Sequence, residues 1–337
     1  MYILLYIGIC IPMDTTELQD ILLRAPYLAH LALRRRPFCL TPDPAFYFDS
    51  QTHSEALRGL EAFLRRQPGF ALIYGDVGTG KTLLCRRFLE GLNGKAYNAG
   101  LVLNPMMSVK EFLAEVLRAF DITPRSHATQ TDMVEALRSL VTAEEGKGRQ
   151  SVLAIDEAQL LSDNLLDLLA TLSDTDGTAG KSLRVVLFAQ QELVTRLVDR
   201  RMRHLRRRIT MTHCLQPLTL PEVSPYIMHR LATAGSRGQV RFDEDAVERI
   251  YRASGGYARV VNSLSDHCLL VLGELSRTTV DRKIVDRVLK EEGVDAASGR
   301  KPSLKERLKI VYLVVLGIIF ALALYRSFVL LHPTLHF

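Results

Sequence analysis

Short unbroken apolar runs alternate along the chain with longer stretches in which apolar residues recur every three or four positions. Phe70–Tyr74, Ala99–Leu103, the SVLAI of 151–155 and Leu183–Ala189 are of the first kind and read as buried strands. Helical spacing falls between them: Ser54–Arg66 (Leu57, Leu60, Phe63, Leu64, with Ser54 as N-cap), Lys81–Leu92 (Leu83, Leu84, Phe88, Leu89), Ser108–Phe120 and Thr131–Glu145. Strands alternating with helices predict a parallel sheet covered on both faces. From Pro221 onward strand signals vanish. Helical patterns over 221–233, 243–254, 258–272 and 280–291 predict an all-helical lid.

The chemistry begins where the first strand meets its helix. Residues 75–82 read GDVGTGKT, a complete phosphate-binding loop in the strand–loop–helix setting that its function requires. Gly75, Gly78 and Gly80 let the backbone of Asp76, Val77 and Thr79 turn its N–H groups inward around a polyphosphate. The helix N-terminus, running into Leu83, adds its positive dipole end. Lys81 is placed to reach the β- and γ-phosphates and the Thr82 hydroxyl to bind Mg²⁺. ATP with Mg²⁺ is the expected ligand.

Hydrolysis also needs a second acidic element. The run SVLAIDE, 151–157, ends in two acids at a strand terminus, where parallel sheets open their ligand crevice. Asp156 is the expected metal-side carboxylate and Glu157 the group that orients or deprotonates the attacking water. At the end of the next strand, Gln190 is either a γ-phosphate sensor or a solvated loop residue. Arg196–Arg208 holds seven arginines. The segment is either a source of a finger reaching a neighbouring subunit's nucleotide or a solvated basic face, resting on anionic lipid or nucleic acid. In SGGYAR, 254–259, the glycine pair ends one helix, leaving Arg259 in the first turn of the next. A cation sits poorly there unless an anion is near, so Arg259 is expected to meet a phosphate.

PFCLTPDPAFYFDSQTHSEAL (37–57), GDVGTGKT, VLAIDEAQLLS (152–162), VVLFAQQEL (185–193), LRRRI (205–209) and SGGYARVVNSLSD (254–266) together resemble the AAA+ ATPases, and within them the general secretion pathway protein A type. The likeness covers most of residues 30–290. It implies a P-loop NTPase fold, an α/β parallel sheet sandwiched by helices and followed by a lid. It also implies ATP hydrolysis, with Lys81, Glu157, Gln190, Arg206, Arg208 and Arg259 as acting residues, Arg203 lying in the same arginine segment. This chain carries Gln191, Ala189 and Tyr257-Ala258 where relatives have proline, glycine and Ile-Pro. The three prolines of Pro37–Pro44 mark an extended leading segment expected to wrap toward the adenine end of the site.

Composition bears mainly on compartment. The chain has 337 residues, 47% of them hydrophobic, which is ample for one large or two medium domains. Five cysteines, at 10, 39, 85, 214 and 268, show neither metal nor disulfide spacing, which fits a reducing cytoplasm. The net charge of +6 is partly local, with Arg300, Lys301, Lys305, Arg307 and Lys309 leading into an apolar run. Ile310–Tyr325 is uncharged, and Arg326 snorkelling outward would let 310–331 cross a membrane as a transmembrane helix. The basic flank predicts a single-pass inner-membrane protein with the ATPase in the cytoplasm and anionic lipid near the linker. Met1–Pro12 is apolar but too short to span, and Met13 is an alternative start.

The expected organisation is a leading segment at 1–50, a nucleotide-binding core at 51–216, a lid at 217–292, a basic linker at 293–309 and the membrane helix. The resemblance implies a role in placing the type II secretion pore, with a periplasmic peptidoglycan-binding part that this chain lacks or another protein supplies. Expected partners are further copies of the chain, in a ring or dimer, and an inner-membrane or periplasmic secretion protein. Two other readings share the core: an ATPase of polysaccharide or pilus export, and a DNA-handling ATPase. Nucleic acid is the less expected partner, because the tether and apolar run stand where a DNA-binding appendage would follow the lid.

Overall fold

The computed structural model describes residues 27–66, 69–92, 94, 96–173 and 183–292. Residues up to Val288 belong to one compact unit, and a second begins at Leu289. Five parallel strands form the central sheet in the order β2-β3-β4-β1-β5: β1 Phe70–Tyr74, β2 Tyr97–Val102, β3 Gln150–Ile155, β4 Arg184–Ala189 and β5 Ile209–Cys214. Burial explains their sequence pattern. The inner strands β1, β3 and β4 are buried almost throughout and read as solid apolar runs, as parallel strands covered on both faces do.

Period-two alternation sorts these strands between two cores. Phe70, Leu72, Leu153, Ile155, Val185 and Leu187 point to one face, against α4 (Val109–Ala119), α5 (Gln130–Gly146) and α6 (Asp163–Leu172). Ala71, Ile73, Val152, Ala154, Val186 and Phe188 point to the other, against α2 (Gln51–Leu64) and α3 (Lys81–Glu90). A short helix α1, Tyr27–His30, precedes these elements. Ser108 and Thr129 start α4 and α5 with capping boxes, each closed by an acid three residues on.

After β4 the chain runs through α7 (Gln191–Leu197) and α8 (Arg203–Arg206) back to the amino end of the sheet. There the Phe70 N–H donates to the Arg208 carbonyl as β5 begins. The lid follows: α9 Leu220–Thr233, α10 Glu244–Ser254, α11 Ala258–Leu275 and α12 Arg282–Glu291. The leading segment is fastened to it. The buried Tyr27 hydroxyl donates to Asp266 on α11 at 2.6 Å, and Arg36 pairs with the same carboxylate. On α9 the buried Arg230 donates to the carbonyls of Pro37 and Cys39, while its guanidinium lies 4.7 Å from the Phe46 ring centre.

Three expectations need correction. The cap of α2 is Ser50, not Ser54: the Ser50 hydroxyl accepts from the His53 N–H, and the helix starts four residues early. Strand β5 was not expected. The lid is not wholly helical, since β6 (Arg241–Phe242) pairs in parallel with β7 (Thr279–Val280). No helix among the described residues is long and apolar enough to cross a membrane, and the expected span at 310–331 lies outside them. The linker at 293–309 and the apolar Met1–Pro12 also lie outside them.

Candidate nucleotide site

A cleft of about 350 Å³ opens at the carboxyl ends of β1, β3 and β4, roofed by the lid. Val77, Gly78, Thr79, Gly80, Lys81, Thr82 and Leu83 form its floor, with Gly75 and Asp76 at the base of the loop. Lys81 is 7% exposed and its Nζ donates to the carbonyls of Gly75 and Asp76, each at 2.8 Å. Burial holds its pKa below the usual lysine range, although Glu157, Asp156 and Asp76 pull the other way. The ammonium thus stands in a low-dielectric pocket on neutral acceptors that an anion could replace.

Asp156, 3% exposed, ends β3 beside the loop. Burial raises its carboxyl above the usual range, opposed by hydrogen bonds from the Thr82 hydroxyl and, at 3.0 Å, the Glu157 N–H. Thr82 and Asp156 present hard oxygen donors side by side, which suits Mg²⁺. Among the described residues no cluster of three or more His, Cys, Asp or Glu could hold a metal alone. The residues therefore fit a cation that arrives with phosphate oxygens as its other ligands.

Glu157 adopts a left-handed backbone, φ 51°, which is unfavourable for a residue bearing a side chain. Its carboxylate Oε2 accepts from Gln190 Nε2 at 3.2 Å and from Gln159 Nε2 at 2.5 Å. Gln159 Oε1 in turn accepts from the Gln190 N–H at 3.0 Å, and its carbonyl accepts from Arg196 at 3.0 Å. Gln190 is thus joined to the acid. Arg259 lies in the first turn of α11 on the cleft wall, and its N–H faces the Gly78 carbonyl at 3.4 Å. Next to it, the Tyr257 hydroxyl donates to the Asp76 carboxylate at 2.7 Å, joining lid to loop.

Beyond Arg196, the arginine segment is elsewhere. Arg208 donates to the Ala170 carbonyl on α6 at 2.5 Å, and Arg203 and Arg206 are exposed. All three sit toward the amino end of β5, the length of β1, roughly 16 Å, from the loop. Within one subunit the structure does not bring them to the cleft, so any contact they make with nucleotide is with a neighbour's. The extended 39–48 segment does reach the cleft, where Cys39, Thr41, Phe46 and Tyr47 form the wall beyond Thr82.

Sequence reasoning missed Gln159, Tyr257 and His53, the last lining the cleft beside Gly80. Gln159 stands two residues past Glu157 inside a motif already recognised, which was the available signal. The other two reach the loop only through tertiary packing.

Residues 64–197 match the family described as AAA domain. General secretion pathway protein A of Aeromonas hydrophila is 33% identical over 244 residues, which cover 72% of this chain and 44% of that protein. The chain therefore spans less than half the length of that relative. Among solved structures, Cdc6p of Pyrobaculum aerophilum superposes with TM-score 0.59 at 18% identity, covering 76% of this chain and 70% of that one. The Aeropyrum pernix ORC1 protein, in a complex with DNA, gives 0.56 at 22%, covering 77% and 69%. These two agree in fold. Sequence kinship points the same way as the loop and acid pair: residues 64–197 carry an AAA domain, and the chain is similar to general secretion pathway protein A.

Proposed function

We propose that the protein binds Mg·ATP and hydrolyses it, and that the cycle drives assembly or remodelling of an envelope export machine at the inner membrane. One observation supports the chemistry above all: Lys81, the Thr82–Asp156 pair, Glu157 with Gln190, and Arg259 converge on one cleft from four separate parts of the chain. Lys81 and the loop amides bind the phosphates. Mg²⁺, when bound with them, neutralises charge on the phosphate oxygens. Glu157, aimed by Gln159 and Gln190, takes the proton of the attacking water. Arg259 senses the phosphate from the lid, so that nucleotide state becomes lid angle. Arg206 or Arg208 completes the site of an adjacent copy, which makes the active form a homo-oligomer.

The export role is supported by the name and identity of the Aeromonas relative, and anchoring by the apolar 310–331 run with its basic flank. In calorimetry the native protein gives heat on titration with Mg·ATP. Lys81→Ala loses it, and Glu157→Gln keeps it while phosphate release slows by orders of magnitude. A folded native protein with no heat of binding refutes the reading. Deleting 310–337 releases the ATPase from membranes in fractionation; continued sedimentation argues against this anchor. A salt-sensitive DNA gel shift would favour a DNA-handling role instead.

A further inference from the structure

His53 lies on α2, inside the 37–57 stretch but with no role assigned above, yet it lines the nucleotide cleft. It is 8% exposed, unusual for an imidazole that forms no ion pair with a carboxylate. Burial pushes its pKa down to about 4, with Asp49 and Glu222 pulling upward and His213 downward. The ring is therefore neutral near pH 7 and carries a single N–H. Its Nδ1 lies 2.6 Å from the Ser50 hydroxyl, itself only 2% exposed. That hydroxyl accepts the His53 backbone N–H, and Nδ1 is the acceptor within reach of its own proton. Ser50 donating to Nδ1 leaves the ring proton on Nε2.

Nε2 has no hydrogen-bond partner among the described residues. It faces the phosphate loop, 2.8 Å from where a Cβ on Gly80 would stand, at the N-terminus of α3. Gly80 has φ +94°, so both its backbone and the imidazole require glycine there. With no acceptor from the protein, that N–H is left to water or to a ligand oxygen in the cleft. The Tyr47 ring, edge-on at 5.9 Å, helps fix the imidazole plane.

We propose that His53 is a nucleotide-binding residue, its Nε2–H donating to an oxygen of the phosphate chain held at Gly80. Ser50 is a positioning residue that sets the tautomer while capping α2. The proposal rests on the nucleotide-binding reading and names a donor from outside the loop.

The test is calorimetry on the full chain with ADP and, separately, with inorganic pyrophosphate. His53→Ala weakens both ligands about tenfold, the low end for a hydrogen bond to a charged group, and His53→Gln, which keeps an amide donor, restores part of the loss. Equal affinity of His53→Ala and the native protein overturns the proposal. So does weakening confined to ADP, which would place the contact on the nucleoside. Native protein that binds neither ligand refutes the nucleotide site itself, a separate outcome. Should His53→Ala fail to fold, imidazole ¹⁵N spectra of the native protein decide. The His53 Nε2–H signal moves on adding pyrophosphate, and an unmoved signal overturns the proposal.

Discussion

Removing the Gln159 side chain should cost turnover without costing affinity. Gln159 is not part of the cleft wall, but its amide binds Glu157 at 2.5 Å and its oxygen binds the Gln190 N–H at 3.0 Å. Glu157 is held at φ 51°, a conformation that costs about 1–2 kcal/mol and persists only while its surroundings enforce it. A hydrogen bond to a carboxylate is worth about 1.5–3 kcal/mol when buried, and half-exposure here reduces that to about 1–2 kcal/mol. If that energy holds Glu157 in its working pose, Gln159→Ala lowers kcat about five- to thirtyfold. The KM for ATP should stay within about twofold, since uniform binding is untouched. The assay is steady-state phosphate release at saturating Mg·ATP, with the melting temperature measured on the same preparation. Adding Gln159→Ala to Glu157→Gln should produce no further loss, because both act through one carboxylate. A kcat unchanged from native, or a loss that simply multiplies with Glu157→Gln, refutes the reasoning.

Three further outcomes are expected. Gly256→Ala places a methyl 2.0 Å from the Leu218 carbonyl at φ +79°; thermal melting monitored by circular dichroism should fall by about 5 °C or more, and an unchanged midpoint would contradict the packing described. His53, lowered to about 4 from 6.5, leaves the unfolded chain binding more protons between those values. Stability is therefore lost as pH falls through that window, and urea titrations should show native protein losing up to about 3 kcal/mol more than His53→Gln from pH 6.5 to 4. Arg206→Ala and Arg208→Ala should each be mixed with Lys81→Ala; renewed phosphate release by one mixture identifies the arginine that acts across subunits, and silence from both removes support for trans action.

Legibility followed burial. β1, β3 and β4 have both faces covered, so their sequences are continuously apolar and readable. β5 lies at the sheet edge, and its ITMTHC alternates half-buried with exposed residues, a polar-looking pattern with no clear strand signal. The two-residue strands β6 and β7 are too short for any period to emerge. Residues 51–53 carry no apolar stripe, so α2 appeared to begin at Ser54. What buries that turn is His53 against the loop. In the site, Lys81, Thr82, Asp156 and Glu157 were legible because contiguous motifs fix their geometry. Gln159, Tyr257 and His53 were not, because their partners are 31, 181 and 27 positions away, at Gln190, Asp76 and Gly80.

The fastening of the leading segment to the lid decides which walls travel together. Arg230 grips the Pro37 and Cys39 carbonyls and Asp266 holds Tyr27 and Arg36, so the 27–48 strap is tied mainly to the lid, with Arg86 of α3 holding the Pro42 carbonyl on the core side. Any swing of α9 and α11 would carry the ceiling over the base pocket with it and leave the phosphate floor behind. Opening then exposes a ligand from its base end, and chain cleavage between Asp49 and α2 would uncouple strap from floor without breaking the sheet.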